Sequence, residues 1–158
     1  MDFTKVLAFA LLVPVFCFVQ KPSAAAEVYI IDGDTLKVDG TTYRLWGVDA
    51  PEQGQQCERD GEYYDCGLYA RFALQVFVGE AQVRCEKVNK DRYRRTVAKC
   101  FVGTTDLGSW LVANGFAVEY PRYSRGYYAS EQDLAETGQR GIWAGDFTLP
   151  WAWRREHQ

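Results

Sequence analysis

After its first 26 residues the chain opens on short runs of alternating and β-branched residues. Val28 to Ile31, Thr35 to Val38 and Thr41 to Val48 each read as a strand. "VDGTT" at 38–42 puts Asp39-Gly40 at the tip of a two-residue hairpin joining the second run to the third. A second Asp-Gly lies in "IIDGDTLKVD" at 30–39, where a strand-like run carries Asp32, Gly33 and Asp34. Both residue types are depleted in strands. The stretch is either another tight turn or a bend that aims a carboxylate at a cation.

Pro51 to Asp65, rich in Gln, Glu and Gly, reads as a loop. In "LYARFALQVFV" the spacing of Leu68, Phe72 and Val76 predicts a helix with that stripe turned to the core. "AQVRCEKV" (81–88) and "TVAKCFVG" (96–103) read as two more strands, joined by the polar "NKDRYRR". A short helix follows, with Asp106 as N-cap, Leu107, Trp110 and Leu111 on one face, and Asn114-Gly115 as its stop. "SEQD" from Ser130 fits a capping box for another helix, running to about Gly138 or Gly141. The tail "GIWAGDFTLPWAWRR" holds three of the five tryptophans and reads as packing against the body. Five strands with three interspersed helices predict an α+β, mainly β fold: a small barrel with helical additions.

Residues 1–26 change the picture of the whole. Lys5, an apolar run from Val6 to Val19 and an Ala-Ala-Ala end read as a cleaved signal peptide. The run contains Pro14 and falls short of the roughly 20 residues that span a bilayer. The expected protein is therefore exported, periplasmic or extracellular, with one domain at 27–158 and no membrane contact once processed. The formal net charge is −3, and removing Lys5, Lys21 and Asp2 with the leader takes it to −4. Such a balance argues against a sequence-independent nucleic-acid coat protein but not against a local basic site.

Four cysteines remain, Cys57, Cys66, Cys85 and Cys100. An even count in an exported chain reads as two disulfides, with three possible pairings. Cys85 and Cys100 flank the predicted hairpin almost symmetrically, which favours Cys85–Cys100 and, by elimination, Cys57–Cys66. No Cys-x-x-Cys occurs and the single histidine is His157, so zinc sites and imidazole-assisted nucleophiles are disfavoured.

Several charged residues stand where a barrel strand should be apolar. Asp32 and Asp34 flank Gly33, Arg44 opens "RLWGVDAPE", Asp49 and Glu52 close it, and Arg95 ends "DRYRR". Carboxylates at the ends of adjacent strands can share one hard cation, and oxygen-only ligands suit Ca²⁺ or Mg²⁺. Lys87, Lys90, Arg92, Arg94, Arg95 and Lys99 gather on the hairpin with Tyr93 among them, and Tyr120, Tyr123 and Tyr127 lie further along. Basic charge follows a phosphate backbone and aromatic faces stack bases, so single-stranded or frayed nucleic acid is the expected partner. The plain alternative is ordinary surface ion pairing, such as Arg44 with Glu52, and a solvated charged turn.

"VYIIDGDTLKVDGTTYRLWGVDAPE" together with "DRYRRTVAKCFV" resembles the staphylococcal nuclease family, and the likeness continues through "DLGSWLVANGFAVEY" and "EQDLAETGQRGIW". The resemblance implies a five-stranded OB-fold barrel with three helices and a Ca²⁺-dependent phosphodiesterase site. It implies Asp34 and Asp49 as carboxylate ligands, the Ala50 carbonyl beside them, and Asp32 as an outer-shell acid. Glu52 would be the general base that activates water, and Arg44 and Arg95 would bind the scissile phosphate. Lys90, Tyr93, Arg94, Tyr120 and Tyr123 are the expected substrate contacts. Two departures stand out. Arg94 replaces the glycine common in the family just before the functional arginine, and the chain is acidic where the archetype is basic.

The implied activity is a monomeric, exported endonuclease cleaving DNA and RNA with little sequence specificity to 3′-phosphate ends. The alternative is a non-catalytic OB-fold module that binds nucleic acid. A metal-stiffened structural protein of the cell envelope is a third, weaker reading.

Overall fold

The computed structural model describes residues 27–157, so the expected leader at 1–26 lies outside the described residues. Five strands follow one hydrogen-bonded path: β1 (Val28–Ile30), β2 (Thr35–Val38), β3 (Thr41–Leu45), then β8 (Thr96–Val102) and β7 (Val83–Lys90). β3 and β8 run parallel, and the other pairs on the path are antiparallel. β9 (Thr105–Asp106) adds to β8, while β4 (Val48–Asp49) pairs with β10 (Val118–Glu119) away from the main sheet. Among the described residues β1 and β7 do not pair, so the hydrogen bonding stops short of a closed ring.

The two Asp-Gly pairs separate as local chemistry demands. Asp39 and Gly40 take φ values of 47° and 80°, the left-handed pair that a two-residue hairpin needs, with Val38 opposite Thr41. Gly33 has another job. A Cβ there would sit 2.6 Å from the Ala50 Cβ and 2.9 Å from the Ala70 Cβ, so only glycine lets three segments meet at this bend.

The helices differ most from expectation. α1 (Cys66–Val78) forms, but Leu68, Phe72 and Val76 are 55, 63 and 64% exposed. Its buried face is Cys66, Gly67, Ala70, Leu74 and Val78, a stripe of smaller residues. The helix packs close to the sheet, and the bulky residues are displaced to solvent. α2 (Leu107–Ala113) is capped by Asp106, whose carboxylate accepts from the Gly108 amide at 2.8 Å. α4 (Ala129–Thr137) ends on Gly138, but it has no capping box. Tyr128 is its N-cap, and the Ser130 hydroxyl donates instead to its neighbour Glu131. Tyr128 is fully buried and donates to Asp106 at 3.0 Å, which ties α4 to α2.

Several elements were not foreseen. β5 (Gln56–Arg59) and β6 (Glu62–Asp65) form a hairpin inside the expected 51–65 loop. Among the described residues α3 (Pro121–Ser124) and α5 (Pro150–Glu156) raise the number of α-helices to five. Both disulfides are as expected, Cys85–Cys100 across the β7–β8 hairpin and Cys57–Cys66 from β5 to α1. The second lies in a satellite core with Val118 and Ile142, covered by Trp143, Phe147 and Trp151. The tryptophan tail therefore packs as its composition indicated.

Candidate nuclease site

One cleft of about 740 Å³ opens between the β7–β8 hairpin, the β3–β4 strands and α5. Asp32, Asp34, Arg44, Ala50 and Glu52 line it, as do Lys90, Tyr93, Arg95, Tyr120 and Tyr123. Asp49 lies just behind the wall, fully buried. Arg94 is exposed on the turn and is not part of the lining.

The bend before β2 sets Asp34. The Asp32 carboxylate accepts from the Asp34 amide at 3.0 Å, and the Asp34 carbonyl accepts from Leu45 at 2.8 Å. Its side chain is held by the Ala50 amide at 2.7 Å and the Thr35 hydroxyl at 3.2 Å. The structure thus places the Ala50 N–H against Asp34, next to the carbonyl named in the sequence. The β4–β10 ladder sets Asp49, opposite Val118.

Arg44 spans the two acids, one nitrogen on Asp34 and the other on Asp49 at 2.7 Å. Burial pulls its pKa below the ordinary arginine value, Asp49 and Asp32 oppose that, and Arg95 and Arg154 add to it. Two buried, convergent carboxylates sharing one positive group offer oxygen donors of the kind a hard cation takes. Among the described residues no cluster of three or more acidic, histidine or cysteine side chains completes such a site. A cation here would draw its other ligands from backbone oxygen and water.

The opposite wall is a tight turn. Asp91 accepts from the amides of Tyr93 and Arg95, both at 2.9 Å, and from Arg95 Nε at 2.7 Å. Burial alone raises the Asp91 pKa, but these bonds and the Arg95 charge outweigh it and hold the carboxyl below its usual range. Arg94 takes φ 67°, the left-handed conformation that suits glycine. That resolves the departure at 94: the backbone turns as glycine would turn it, Arg94 faces solvent, and Arg95 faces the cleft. Tyr93 is 63% exposed with the Arg95 guanidinium 5.6 Å from its ring centre.

Tyr120 stacks on Trp151 at 5.0 Å and meets Tyr123 edge-on at 4.9 Å, so these two tyrosines, and not Tyr127, form the aromatic side of the cleft. Lys99 lies over the rings of Tyr127 and Trp46, at 3.4 and 4.6 Å, and does not reach the cleft. Lys87 is exposed on β7.

Sequence reasoning missed Arg154. Its fork grips Asp49, Nη1 to Oδ1 at 3.0 Å and Nη2 to Oδ2 at 2.8 Å, and Nη1 also pairs with Glu52. Partial burial would lower its pKa, but the bonds to Asp49 and Glu52 outweigh that and raise it. The signals were present: Pro150 as a first helical residue, and the Arg154-Arg155 pair in an acidic chain.

The family model described as "Staphylococcal nuclease homologue" matches residues 42–145. The chain belongs to the staphylococcal nuclease family. It shares the family's OB-type fold. A "Succinoglycan biosynthesis protein" of Rhizobium meliloti (strain 1021) is 39% identical over 120 residues, 74% of this chain and 63% of that protein. An "Uncharacterized endonuclease" of Haemophilus influenzae is 30% identical over 146 residues, covering 88% of this chain and 77% of its own.

Proposed function

We propose that this member of the staphylococcal nuclease family is an exported, Ca²⁺-dependent endonuclease. It hydrolyses DNA and RNA with little sequence preference, prefers single-stranded or frayed substrate, and leaves 3′-phosphate ends. The observation that carries the reading is the pair of buried acids, Asp34 and Asp49, sharing Arg44 on the wall of a cleft that also holds Glu52 and Arg95.

Asp34, Asp49 and the Ala50 carbonyl are the residues that would hold calcium, which would supply positive charge to the phosphoryl oxygens. Arg44 and Arg95 bind the same phosphate through forked N–H groups, matching the charge that grows on it. Glu52, a third exposed on its side chain, takes the proton from water. The only histidine, His157, stacks on Trp153 at the chain's end, so a carboxylate base fits what the cleft offers. Tyr93 on one wall and Tyr120 and Tyr123 on the other present ring faces to unpaired bases. Leader removal would leave the protein free of the membrane, and a single copy contains every group named.

Glu52→Gln tests the mechanism. Turnover is expected to fall by about 10²–10⁴-fold while nucleotide binding is kept. End-group analysis of wild-type products should find 3′-phosphates. Unchanged turnover removes Glu52 from the base role, and a wild type that binds but never cleaves leaves the binding-module reading.

A further inference from the structure

Asp49 and Glu52 are acids three residues apart on one short segment, and their charges repel. A single guanidinium ties them together. Arg154 Nη1 touches Asp49 Oδ1 at 3.0 Å and also pairs with Glu52 Oε1, while Nη2 holds Asp49 Oδ2 at 2.8 Å. Among the described residues no other cation pairs with Glu52.

The contact belongs to a built support. α5 is anchored before it reaches the cleft: Pro150 is buried, Trp151 stacks on Tyr120, and the buried Gln55 side chain donates to the Thr148 carbonyl at 2.6 Å. The same Gln55 accepts from the Glu52 amide at 3.1 Å, so backbone and side chain of Glu52 are both fixed by way of α5's approach. Arg154 itself is about a quarter exposed (26%) and Asp49 not at all (0%), so the fork is only partly screened by water.

We propose that Arg154 is a positioning residue for the reaction. It holds the Glu52 carboxylate beside Asp49, in the orientation from which Glu52 acts on water, and its charge weakens the cleft's hold on a divalent cation. The first half rests on Glu52 being the base, as proposed above. The second rests only on charge: Arg154 neutralises part of the negative field that a cation at Asp34 and Asp49 would feel. The two effects have opposite signs. Removing Arg154 impairs turnover yet tightens cation binding, whereas a loosened fold would impair both.

The test uses the full processed chain as wild type, Arg154→Gln and Arg154→Lys. Calcium is titrated calorimetrically without nucleic acid, kcat and KM are measured on denatured DNA, and Tm is recorded for each protein. Arg154→Gln is expected to bind calcium several-fold more tightly and to lose about 10–100-fold in kcat, with a smaller change in KM. Arg154→Lys keeps the charge without the fork, so its calcium affinity stays near wild type while kcat falls to an intermediate value. Calcium binding that is unchanged or weaker in a folded Arg154→Gln protein overturns the proposal, as does kcat within about twofold of wild type. If Arg154→Gln fails to fold, Arg154→Lys decides: full wild-type kcat overturns the positioning role. A wild type that cleaves nothing in calcium refutes the nuclease reading and the positioning role with it. The calcium titration then still decides the charge effect.

Discussion

Gly67 lies against the backbone of Glu52: a Cβ at position 67 would fall 1.9 Å from the Glu52 carbonyl oxygen and 2.6 Å from its carbonyl carbon. The first turn of α1 therefore sets the height of the cleft rim, far more tightly than a side-chain contact could. Gly67→Ala should push Glu52 outward and lower turnover by about 100-fold, the scale expected when a catalytic group moves by about 1 Å. Activity near wild type would mean the rim yields without moving the carboxylate.

The turn at 91–95 makes a prediction of opposite sign. Arg94 sits at φ 67°, where a non-glycine residue costs about 1–2 kcal/mol. Arg94→Gly should raise stability by about 1 kcal/mol and leave KM for DNA unchanged. Chemical denaturation and steady-state kinetics check both halves. A raised KM would return Arg94 to the list of substrate contacts.

α1 shows where sequence legibility ended. Its existence and length were plain from periodicity, yet the bulky stripe Leu68, Phe72, Val76 faces water and Leu74 faces the core. Periodicity reports that a helix has faces; the close approach of Gly67 and Ala70 to Glu52 and Gly33 decides which one is buried. Leu74→Ala is expected to cost about 2–5 kcal/mol, and Phe72→Ser less than about 0.5 kcal/mol. Equal losses would contradict this orientation.

The same distinction runs through the site. Asp34, Arg44, Asp49, Glu52 and Arg95 stood out as charged residues in short strand-like motifs, and the family resemblance attached roles to them. Arg154 did not, because its place depends on a tail that crosses 102 residues of sequence separation to reach Glu52. The β5–β6 hairpin was hidden by its polar strands, which are held by Cys57–Cys66 and a bridge from Glu58 to Asp146 more than by apolar alternation.

That disulfide carries a prediction. Cys57–Cys66 closes the hairpin beside Gln55, and the Cys66 amide donates to the Gln55 carbonyl at 3.0 Å. Replacing both cysteines by alanine should cost about 2–4 kcal/mol. It should also lower kcat, because Gln55 links Glu52 to the Thr148 carbonyl. Loss of stability with full kcat at low temperature would separate the disulfide from the site.

Asp91 supplies one part of the pH dependence of stability, beside Glu131. Burial raises the Glu131 pKa, but the bonds from the Ser130 and Ser109 hydroxyls outweigh it and hold that carboxyl below its usual range. The folded Asp91 carboxyl lies below the ordinary range through its bonds to Arg95 and Tyr93. The stability Asp91 contributes is therefore present above the unfolded value, near about 3.9, and is lost as pH falls through the lower folded value. Asp91→Asn should flatten that acid limb of the stability profile. An unaltered limb would show that the turn does not depend on the charge.

The proposed cleft is a calcium-dependent hydrolytic site built on Asp34 and Asp49. Digestion of heat-denatured DNA by the processed protein, once with calcium and once with calcium chelated, tests it most directly. Cleavage is expected in the first tube and none in the second. Equal cleavage in both, or none in either by a protein shown to be folded, would contradict a calcium-dependent site.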